Sequence, residues 1–266
     1  MEESKFLKVA KQAALEAGRI LSELPSELTK LSVKNEDNSD LVSNVDVEVE
    51  KLIIKILTDH FPDHNIIAEE GDRVRNGSLY TWVIDPLDGT FSFMRNIPYF
   101  SVSIGLLKDN KPIMGVINHV SLHNLYWAEE GNGAYLNGKK IYVSKVDSLD
   151  QSGGVLDLGH MQKRKSKIDL YVNPLIAKIG YVYSLGGAAA ILSMVAQGVL
   201  DLDVNQAWLW DFVAGTVIVR EAGGKVTDFS GNEPDWTKER LDIVASNGLI
   251  HEQILEALSP SLRGTK

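Results

Sequence analysis

A nine-residue segment, Trp82-Val83-Ile84-Asp85-Pro86-Leu87-Asp88-Gly89-Thr90, places two carboxylates directly behind a short apolar run. The apolar residues predict a buried strand over residues 80–84. Proline disfavours the helical region for the residue before it, so Pro86 places Asp85 at the carboxyl end of this strand. Binding groups collect at that edge of an α/β sheet. The segment therefore predicts a fold of mixed helices and strands with polar chemistry at one strand end.

The same segment offers oxygen ligands for a magnesium ion. Asp88 follows in a turn that bends it back toward Asp85, and the turn frees the carbonyl group of Leu87 from the strand ladder. Two carboxylates and a carbonyl oxygen suit Mg²⁺, which takes few protein ligands and keeps waters or phosphate oxygens. The N–H groups of Gly89 and Thr90 would hold a phosphate if a helix begins there. An ordinary Asp-rich turn is the alternative.

Two further acidic sites point the same way, although each has an ordinary explanation. Glu69 and Glu70 stand side by side after a predicted strand over residues 65–68, where like charges cost energy unless water or a cation neutralises them. Asp211 precedes an apolar helix predicted over residues 212–222, where an N-cap is the usual role. Together, the three acidic sites predict two or three Mg²⁺ ions that grip a phosphate group.

Hydrophobic periodicity divides the chain into two halves, residues 1–150 and 151–266, that are expected to share one core. Ser43 and Asp46 form a plausible capping box for the second helix, after an exposed loop over residues 34–40. The other predicted elements are a helix over 6–21, antiparallel strands over 101–107, 112–119 and 124–129, a hairpin turning at Asn137-Gly138, a helix near 187–198 and strands near 200–204, 225–229 and 242–245.

Composition excludes several classes of site. The 266 residues include no cysteine, so disulfides, thiolate zinc sites, iron–sulfur clusters and cysteine nucleophiles are ruled out. A net charge of −9 argues against binding to a nucleic-acid polymer. The charged N-terminus is unlike a signal peptide, and the apolar stretch 185–200 is too short to span a bilayer. We therefore expect a cytoplasmic protein that does not enter a membrane.

Two longer motifs connect these sites to a known family. Asp85-Pro86-Leu87-Asp88-Gly89-Thr90 resembles the first signature of the inositol monophosphatase family. Trp210-Asp211-Phe212-Val213-Ala214-Gly215, which leads into Glu221-Ala222-Gly223-Gly224, looks like the second, and Glu69 stands at the family's usual distance before the first. The resemblance covers essentially the whole chain. It implies an α+β fold, a layered α/β/α/β/α sandwich of the sugar phosphatase type, in a commonly dimeric, Mg²⁺-dependent and lithium-sensitive phosphatase.

The resemblance also implies roles for individual residues. The implied metal ligands are Glu69, Asp85, the Leu87 carbonyl, Asp88 and Asp211. Thr90 would position the attacking water, with Asp46 behind it, so that the implied catalytic residues are Glu69, Thr90 and Asp46. The implied substrate contacts are Asp88, Asp211, the N–H groups of Gly89 and Thr90, and the segment Gly186-Gly187-Ala188 at a helix start.

Two departures from the family pattern concern the alcohol half of the substrate. Many relatives carry an acidic residue, which contacts sugar hydroxyls, in the loop before Trp-Asp, but residues 204–209 contain no carboxylate. Asn205 or Gln206 would make weaker, neutral hydrogen bonds there, and Trp208 would offer a face for stacking a ring or packing a partner. Ser92 stands where the family often has Asn. The metal centre is complete, so hydrolysis itself is still expected.

A basic cluster, Lys163-Arg164-Lys165-Ser166-Lys167, puts four cations on an otherwise acidic chain. A solvated loop is the ordinary explanation. The functional alternative is a clamp for a second phosphate, which would favour fructose 1,6-bisphosphate or a nucleotide bisphosphate as substrate.

The sequence therefore predicts a Mg²⁺-dependent phosphomonoester hydrolase of small polyol or sugar phosphates, with inositol 1-phosphate as the leading substrate. Water activated by the metal would attack phosphorus in line, without a covalent phosphoenzyme. The protein would bind a small phosphorylated substrate and form a homodimer. A fructose-1,6-bisphosphatase or a 3′-phosphoadenosine 5′-phosphate phosphatase is the alternative within the same class. A catalytically idle, metal-binding regulator that uses Trp208 and Trp236 as a partner surface is the alternative from another class.

Overall fold

The structure is a computed structural model that describes residues 3–23, 31–33, 41–71, 73–159 and 161–263. Its helices are α1 Lys5–Glu23, α2 Asn44–His60, α3 Thr90–Met94, α4 Met161–Lys167, α5 Asn173–Ile176, α6 Ala188–Ala196, α7 Leu209–Glu221 and α8 His251–Arg263. Its strands are β1 Leu31–Val33, β2 Leu41–Ser43, β3 Asn65–Ala68, β4 Arg73–Val74, β5 Tyr80–Asp88, β6 Ser101–Lys108, β7 Lys111–His119, β8 Asn124–Glu129, β9 Ala134–Leu136, β10 Lys139–Ile141, β11 Gly153–Leu156, β12 Tyr181–Tyr183, β13 Leu202–Trp208, β14 Lys225–Thr227 and β15 Arg240–Ser246.

Two large sheets organise the molecule. Eight strands pair in the order β10-β9-β8-β7-β6-β5-β3-β4, and every pair is antiparallel except β3 with β5. Five strands pair in the order β12-β11-β13-β15-β14, where β11 runs parallel to both of its neighbours. The short pair β1–β2 stands apart. Since β3 and β5 are parallel neighbours, their carboxyl ends bring Glu69 and Asp85 to the same edge.

Three buried clusters of apolar side chains separate the layers. Helices α1 and α2 cover one face of the eight-stranded sheet, which contributes Trp82 and Ile84 to that cluster. Helices α6 and α7 lie between the two sheets, in a cluster that includes Val83 and Ala245. Segments α5 and α8 cover the outer face of the five-stranded sheet. The result is the predicted α/β/α/β/α sandwich in an α+β fold, and alternating residues of β5 are buried on both of its faces.

Helix α7 packs unusually close to the eight-stranded sheet. A Cβ atom built on Gly115 of β7 would lie 2.2 Å from the carbonyl oxygen of Ala214, and one built on Gly105 of β6 would lie 2.5 Å from a methyl carbon of Val213. Both distances are far shorter than van der Waals contact. The two glycines therefore let the backbone of α7, which begins two residues before Asp211, rest directly on the sheet.

Several predicted boundaries are wrong. Strand β5 does not stop at Ile84: it continues to Asp88, with an irregular register between Asp85 and Asp88. Helix α7 begins at Leu209 instead of residue 212, and β13 extends to Trp208 where a strand ending near residue 204 and then a loop were expected. Pairing of β13 with β15 along all seven residues explains the longer strand.

The remaining predicted elements agree with the structure to within a few residues, including the hairpin at Asn137-Gly138. The predicted loop over residues 34–40 and the Ser43 side chain of the predicted capping box lie outside what the structure describes. No helix in the described ranges combines the length and the apolar character that a membrane crossing requires.

Candidate metal centre and phosphate site

Three carboxylates from the two signature motifs meet at one point. Asp85, Asp88 and Asp211 each contribute an oxygen atom, and these atoms all lie within 4.8 Å of one another. Asp85 and Asp88 are only 2% and 4% exposed. Negative charges this close and this far from water repel one another unless a cation stands between them. The donor set consists of oxygen alone, which fits Mg²⁺.

Asp85 is held by its own turn and adjoins Glu69. Its Oδ1 atom accepts a hydrogen bond from the Leu87 N–H group at 3.0 Å. Burial raises the pKa of Asp85 well above its usual value, and the charges of Glu69, Asp88 and Asp211 raise it further. The Glu69 side chain shares a hydrogen bond with Asp85. The structure thus brings Glu69 to the carboxylate cluster, as the sequence predicts.

Asp88 is bound by groups from two other elements. Its Oδ2 atom accepts the Ser101 hydroxyl at 2.9 Å and the Ala190 N–H group at 3.0 Å. Burial raises the pKa of Asp88 to about 6, and the bonds from Ala190 and Ser101 oppose that rise because they favour the ionised form. Asp88 therefore joins β5 to the first turn of α6.

Asp211 lies inside the first turn of α7 and is not its N-cap, contrary to the ordinary explanation considered above. Trp208 is the N-cap residue, and its N–H group donates to Asp211 Oδ2 at 2.7 Å. Burial raises the pKa of Asp211 to about 7, and the charge of Asp88 adds to that rise. One carboxylate oxygen of Asp211 therefore accepts a hydrogen bond at the start of α7, and the same side chain also contributes an oxygen to the carboxylate cluster.

Thr90 and Asp46 lie together beside the cluster, although 44 residues separate them. The Thr90 hydroxyl lies 3.3 Å from Asp46 Oδ1 and 3.1 Å from the Leu87 carbonyl oxygen. Asp46 is fully buried in the first turn of α2. Because a hydroxyl donates one proton and keeps lone pairs that accept others, Thr90 can bond to one of these oxygens and still receive a hydrogen bond from water.

Both glycine-led segments lie against the cluster. Gly89 adopts φ 96° just before α3, and Gly187 adopts φ 91° just before α6. A Cβ atom on Gly187 would lie 3.2 Å from Asp88 Oδ2. Gly186-Gly187-Ala188 therefore adjoins the carboxylates, as predicted, and Gly186 itself is exposed.

The segment before Trp210-Asp211 differs from the predicted loop. Residues 204–208 belong to β13, and Asp203, one residue before the region that lacks a carboxylate, points toward the layer of α6 and α7. Its strand partners Val155 and Ala245 both belong to that layer's core. Asp203 is fully buried, and within the described ranges neither of its carboxylate oxygens has a hydrogen-bond partner.

The other side chains of this segment are partly committed. Gln206 donates to Asp242 at 2.7 Å. Trp208 stacks on Trp210 with ring centroids 5.2 Å apart, and the guanidinium of Arg240 lies 4.2 Å from the Trp208 ring centre. Two groups therefore already contact the Trp208 ring, which was expected to offer a face to a ligand or a partner. Asn205 is 3% exposed, and its Oδ1 has no partner in the described part of the chain.

The basic cluster is not a loop with four free cations. Residues 161–167 form α4. Lys165 pairs with Asp169 at 2.9 Å, and the buried Lys167 is ion-paired with Asp157 and donates to the Gln206 carbonyl at 2.9 Å. The Arg164 guanidinium lies 3.4 Å from the Gly159 carbonyl oxygen. Two of the four cations of the basic cluster are therefore already neutralised by carboxylates of the protein.

Sequence reasoning missed two residues that adjoin the site. Ser101 opens β6 and binds Asp88, and its position opposite Asp88 in the sheet register carries no local sequence signal. Asp203 had a signal: Asp201-Leu202-Asp203 alternates acidic and apolar residues, which is the pattern of a strand with one polar face. Asp203 stands one residue before the segment 204–209, which itself contains no carboxylate.

Comparison with known proteins agrees with this geometry. Residues 2–263 match the inositol monophosphatase family. A fructose-1,6-bisphosphatase/inositol-1-monophosphatase of Aquifex aeolicus is 38% identical over 95% of this chain and 94% of its own length. An inositol-1-monophosphatase of Bacillus subtilis is 32% identical over 93% of this chain and 94% of its own.

The fold agrees as well. The crystal structure of the extragenic suppressor protein suhB from Bartonella henselae superposes with a TM-score of 0.87 at 32% identity, covering 96% of this chain and 98% of that one. The likeness in sequence and in fold extends over both signature motifs and nearly the whole length. The chain belongs to the inositol monophosphatase family, a family of metal-dependent phosphomonoester hydrolases.

Proposed function

We propose that this protein is a Mg²⁺-dependent phosphatase of small polyol or sugar monophosphates, with inositol 1-phosphate as its leading substrate. The observation that carries the proposal is the mutually repelling cluster of Asp85, Asp88 and Asp211, in which Asp85 and Asp88 are buried and Asp211 is half-buried. Such a cluster is costly in a protein that holds no cation. The name of the Bacillus subtilis relative supports the choice of substrate.

In this proposal the cluster holds two or three Mg²⁺ ions, with Glu69 and the Leu87 carbonyl as further ligands. When bound, these ions lower the pKa of water and neutralise charge on the phosphate. The Thr90 hydroxyl donates a hydrogen bond to Asp46. The Thr90 oxygen can then accept a hydrogen bond from the attacking water, and this orients a lone pair of the water toward phosphorus. The first-turn N–H groups of α3 have no partners within the helix and bind phosphate oxygens.

Asp203 and Asn205 supply the alcohol contacts in this proposal, in place of the carboxylate that residues 204–209 lack. They are two residues apart on β13, so both side chains lie on its inner face. Three buried acceptor oxygens, both of Asp203 and one of Asn205, have no partner in the described ranges. Unpaired buried acceptors favour a ligand that brings several hydroxyl donors. Opening of the site is needed to admit it, because Asp203 is fully buried.

The test is phosphate release with and without Mg²⁺ from inositol 1-phosphate, fructose 1,6-bisphosphate and 3′-phosphoadenosine 5′-phosphate. We expect Mg²⁺-dependent turnover of inositol 1-phosphate, abolished in Asp85→Asn and retained in the exposed control Asp150→Asn. Equal turnover by Asp85→Asn and by the unmodified protein would contradict the proposed metal ligand. If no substrate is hydrolysed although Mg²⁺ binds, the idle regulator gains support.

A bisphosphate substrate is the second candidate, and the name of the Aquifex aeolicus relative favours it. The basic cluster over residues 163–167 would then face a second phosphate, although Lys165 and Lys167 are already ion-paired. The double variant Lys163→Gln/Arg164→Gln should lose activity toward fructose 1,6-bisphosphate selectively. The matched control is Lys139→Gln/Lys145→Gln, which removes the same charge from exposed positions elsewhere. An unchanged preference in the first variant rejects the clamp.

We also propose a homodimer that forms through the edge strand β12. Tyr181, Val182 and Tyr183 are 72%, 37% and 49% exposed, although they belong to the five-stranded sheet. An exposed apolar edge strand is a template for pairing with a second chain. The variant Tyr181→Lys/Tyr183→Lys should sediment as a monomer, and an unchanged dimer would place the interface elsewhere.

The cytoplasmic location stays a prediction.

A further inference from the structure

A second cleft lies away from the carboxylate cluster. It is bounded on one side by the N-terminal ends of β3 and β5 and on the other by the segment that precedes β15. Its volume is about 350 Å³, and none of Asp85, Asp88 and Asp211 lines it. Asn65 and Thr81 line the cleft at the opposite ends of β3 and β5 from Glu69 and Asp85. Four residues of strand separate Asn65 from Glu69 and Thr81 from Asp85, which is roughly 13 Å. On its other side the cleft is lined by Trp210, the chain neighbour of Asp211. The volume falls within the range of small-molecule sites.

The floor of this cleft is apolar and aromatic. It is formed by residues of the eight-stranded sheet, of the first turn of α7 and of the segment before β15: Ile67, Leu107, Leu209, Trp210 and Trp236. Trp236 is fixed because its indole N–H donates to Glu233 at 2.8 Å. A floor of this kind suits an apolar body, such as an aromatic ring, better than it suits a sugar.

The rim has the opposite charge to the protein as a whole. Arg73, Arg75 and Lys238 line the cleft with a single carboxylate, Glu239, whereas the chain carries a net charge of −9. Glu239 is occupied by Arg73 at 2.6 Å. Arg75 is exposed and has no ion pair or hydrogen bond with any described residue, and Lys238 has only a long contact with Asp235 at 3.7 Å. Two cations therefore stand at the mouth of an apolar cleft, Arg75 with no partner among the described residues and Lys238 in a long ion pair with Asp235.

We propose that this cleft binds a small organic anion, with its apolar body on the floor and its carboxylate, sulfonate or phosphate group between Arg75 and Lys238. An anion is drawn to a local basic rim on an acidic surface, and the apolar floor gains from removing the body from water. The inference goes beyond the proposed phosphatase activity and does not depend on it. A ligand that had only a charge, or only an apolar body, would use the basic rim or the apolar floor but not both.

The test is isothermal titration calorimetry of the full chain with naphthalene-2-sulfonate as the probe. The titration is made in metal-free buffer, because the carboxylate cluster then repels an anion and does not compete for the probe. We expect naphthalene-2-sulfonate to bind at least about tenfold more tightly than either 2-naphthol, which lacks the charge, or sulfate, which lacks the apolar body.

Charge reversal locates the site. Arg75→Glu/Lys238→Glu should weaken probe binding by about tenfold or more, because it places two carboxylates beside the anion. The matched control Lys139→Glu/Lys145→Glu makes the same change of net charge at exposed positions away from the cleft, and it should change the affinity by less than about twofold. Absence of probe binding at millimolar concentration, or equal weakening in both double variants, would overturn the proposal.

Discussion

Two helices begin beside the carboxylate cluster, and they begin in the same way. Helix α3 follows Gly89 and helix α6 follows Gly187, each glycine has a left-handed conformation, and neither helix has a side-chain cap. In both cases the first-turn N–H groups face a site built for negative charge. The sequence offers the start at Gly89-Thr90 as a phosphate site, and the family resemblance implies a substrate contact at the start that follows Gly187.

They differ in the anion that each one meets. The first turn of α6 donates the Ala190 N–H group to Asp88, so this helix stabilises a carboxylate of the protein itself. The hydrogen bonds described for α3 include none to Asp85, Asp88 or Asp211, and the start of this helix is instead joined to α2 by the contact between Thr90 and Asp46. The comparison teaches that a glycine-led helix start identifies an anion site, whereas the tertiary fold decides whether a side chain or a substrate fills it.

The largest expected effect comes from removing the group that makes the two starts differ. Asp88→Asn keeps the shape of the side chain but loses its charge, which both α6 and the proposed metal ions use. We expect phosphate release in Mg²⁺ to fall by about a thousandfold or more, because metal charge stabilisation is worth several kcal/mol. The exposed Asp150→Asn should be unaffected. A fall of less than tenfold would mean that α6 alone, without the charge, supports the reaction.

The next effect concerns the start of α3. Thr90→Val removes the hydroxyl that bonds with Asp46 and the Leu87 carbonyl, at nearly constant volume. We expect kcat to fall by about a hundredfold, since positioning of a nucleophile by one group contributes of that order. Mg²⁺ affinity, measured by calorimetry, should stay within about threefold. Thr90→Ser restores the hydroxyl and should restore most of the rate, whereas a Ser variant as slow as Thr90→Val would contradict the role.

Substitution of Gly89 and of Gly187 by alanine should have different effects, because the added methyl group contacts a different neighbour in each case. In Gly89→Ala the new Cβ lies 2.9 Å from the backbone oxygen of Tyr99, which cannot move aside, so we expect a loss of about 2–3 kcal/mol in unfolding free energy. In Gly187→Ala it lies 3.2 Å from the Asp88 carboxylate, which can move, so Mg²⁺ affinity should suffer more than stability.

The matched control for this pair is Gly138→Ala, which has φ +83° and nothing within 4 Å of the added carbon. It measures the cost of the left-handed conformation alone, about 1 kcal/mol. Chemical denaturation gives the stabilities and calorimetry gives the Mg²⁺ affinities. If Gly89→Ala and Gly187→Ala lose equal stability, the distinction between the two helix starts fails.

The smallest expected effect is that of pH on metal binding. Burial raises the pKa of Asp88 to about 6 and that of Asp211 to about 7, so protons compete with Mg²⁺ for these oxygens below neutral pH. Because the metal binds the ionised carboxylates, its apparent affinity should weaken by roughly twentyfold in all as the pH falls from 8 to 6, mostly through Asp211. Calorimetric titration at pH 8, 7 and 6 checks this, and an affinity constant over that range would contradict it.

The sequence predicted the family and the layered fold, and the structure and the relatives confirm both. The strand before Asp85 and the hairpin at Asn137-Gly138 were predictable because their signals are local: an apolar run before proline, and a turn dipeptide with left-handed residues. The roles of the individual site residues and the division at residue 150 stay predictions. One cluster of apolar side chains, with Val83 and Ala245 among its members, joins the two proposed halves.

What could not be predicted depends on distant partners. The Trp208-Leu209-Trp210 segment suits a strand as well as a helix, and the pairing of β13 with β15 together with the Asp211–Trp208 bond decides where one ends and the other begins. The basic cluster reads as four equivalent cations. Only the fold reveals that Lys167 is buried beside Asp157, because that contact needs the chain to turn back between them.

The close approach of α7 to the sheet limits which substitutions natural selection can tolerate there. The position of Asp211 is fixed by α7, and α7 packs directly against Gly105 and Gly115. The space between these glycines and the helix is too small for even one additional carbon atom. A magnesium site tolerates errors of a few tenths of an ångström in its ligands. Substitutions at these two glycines, which touch neither substrate nor ion, should therefore be purged from a population as strictly as changes in the carboxylates themselves.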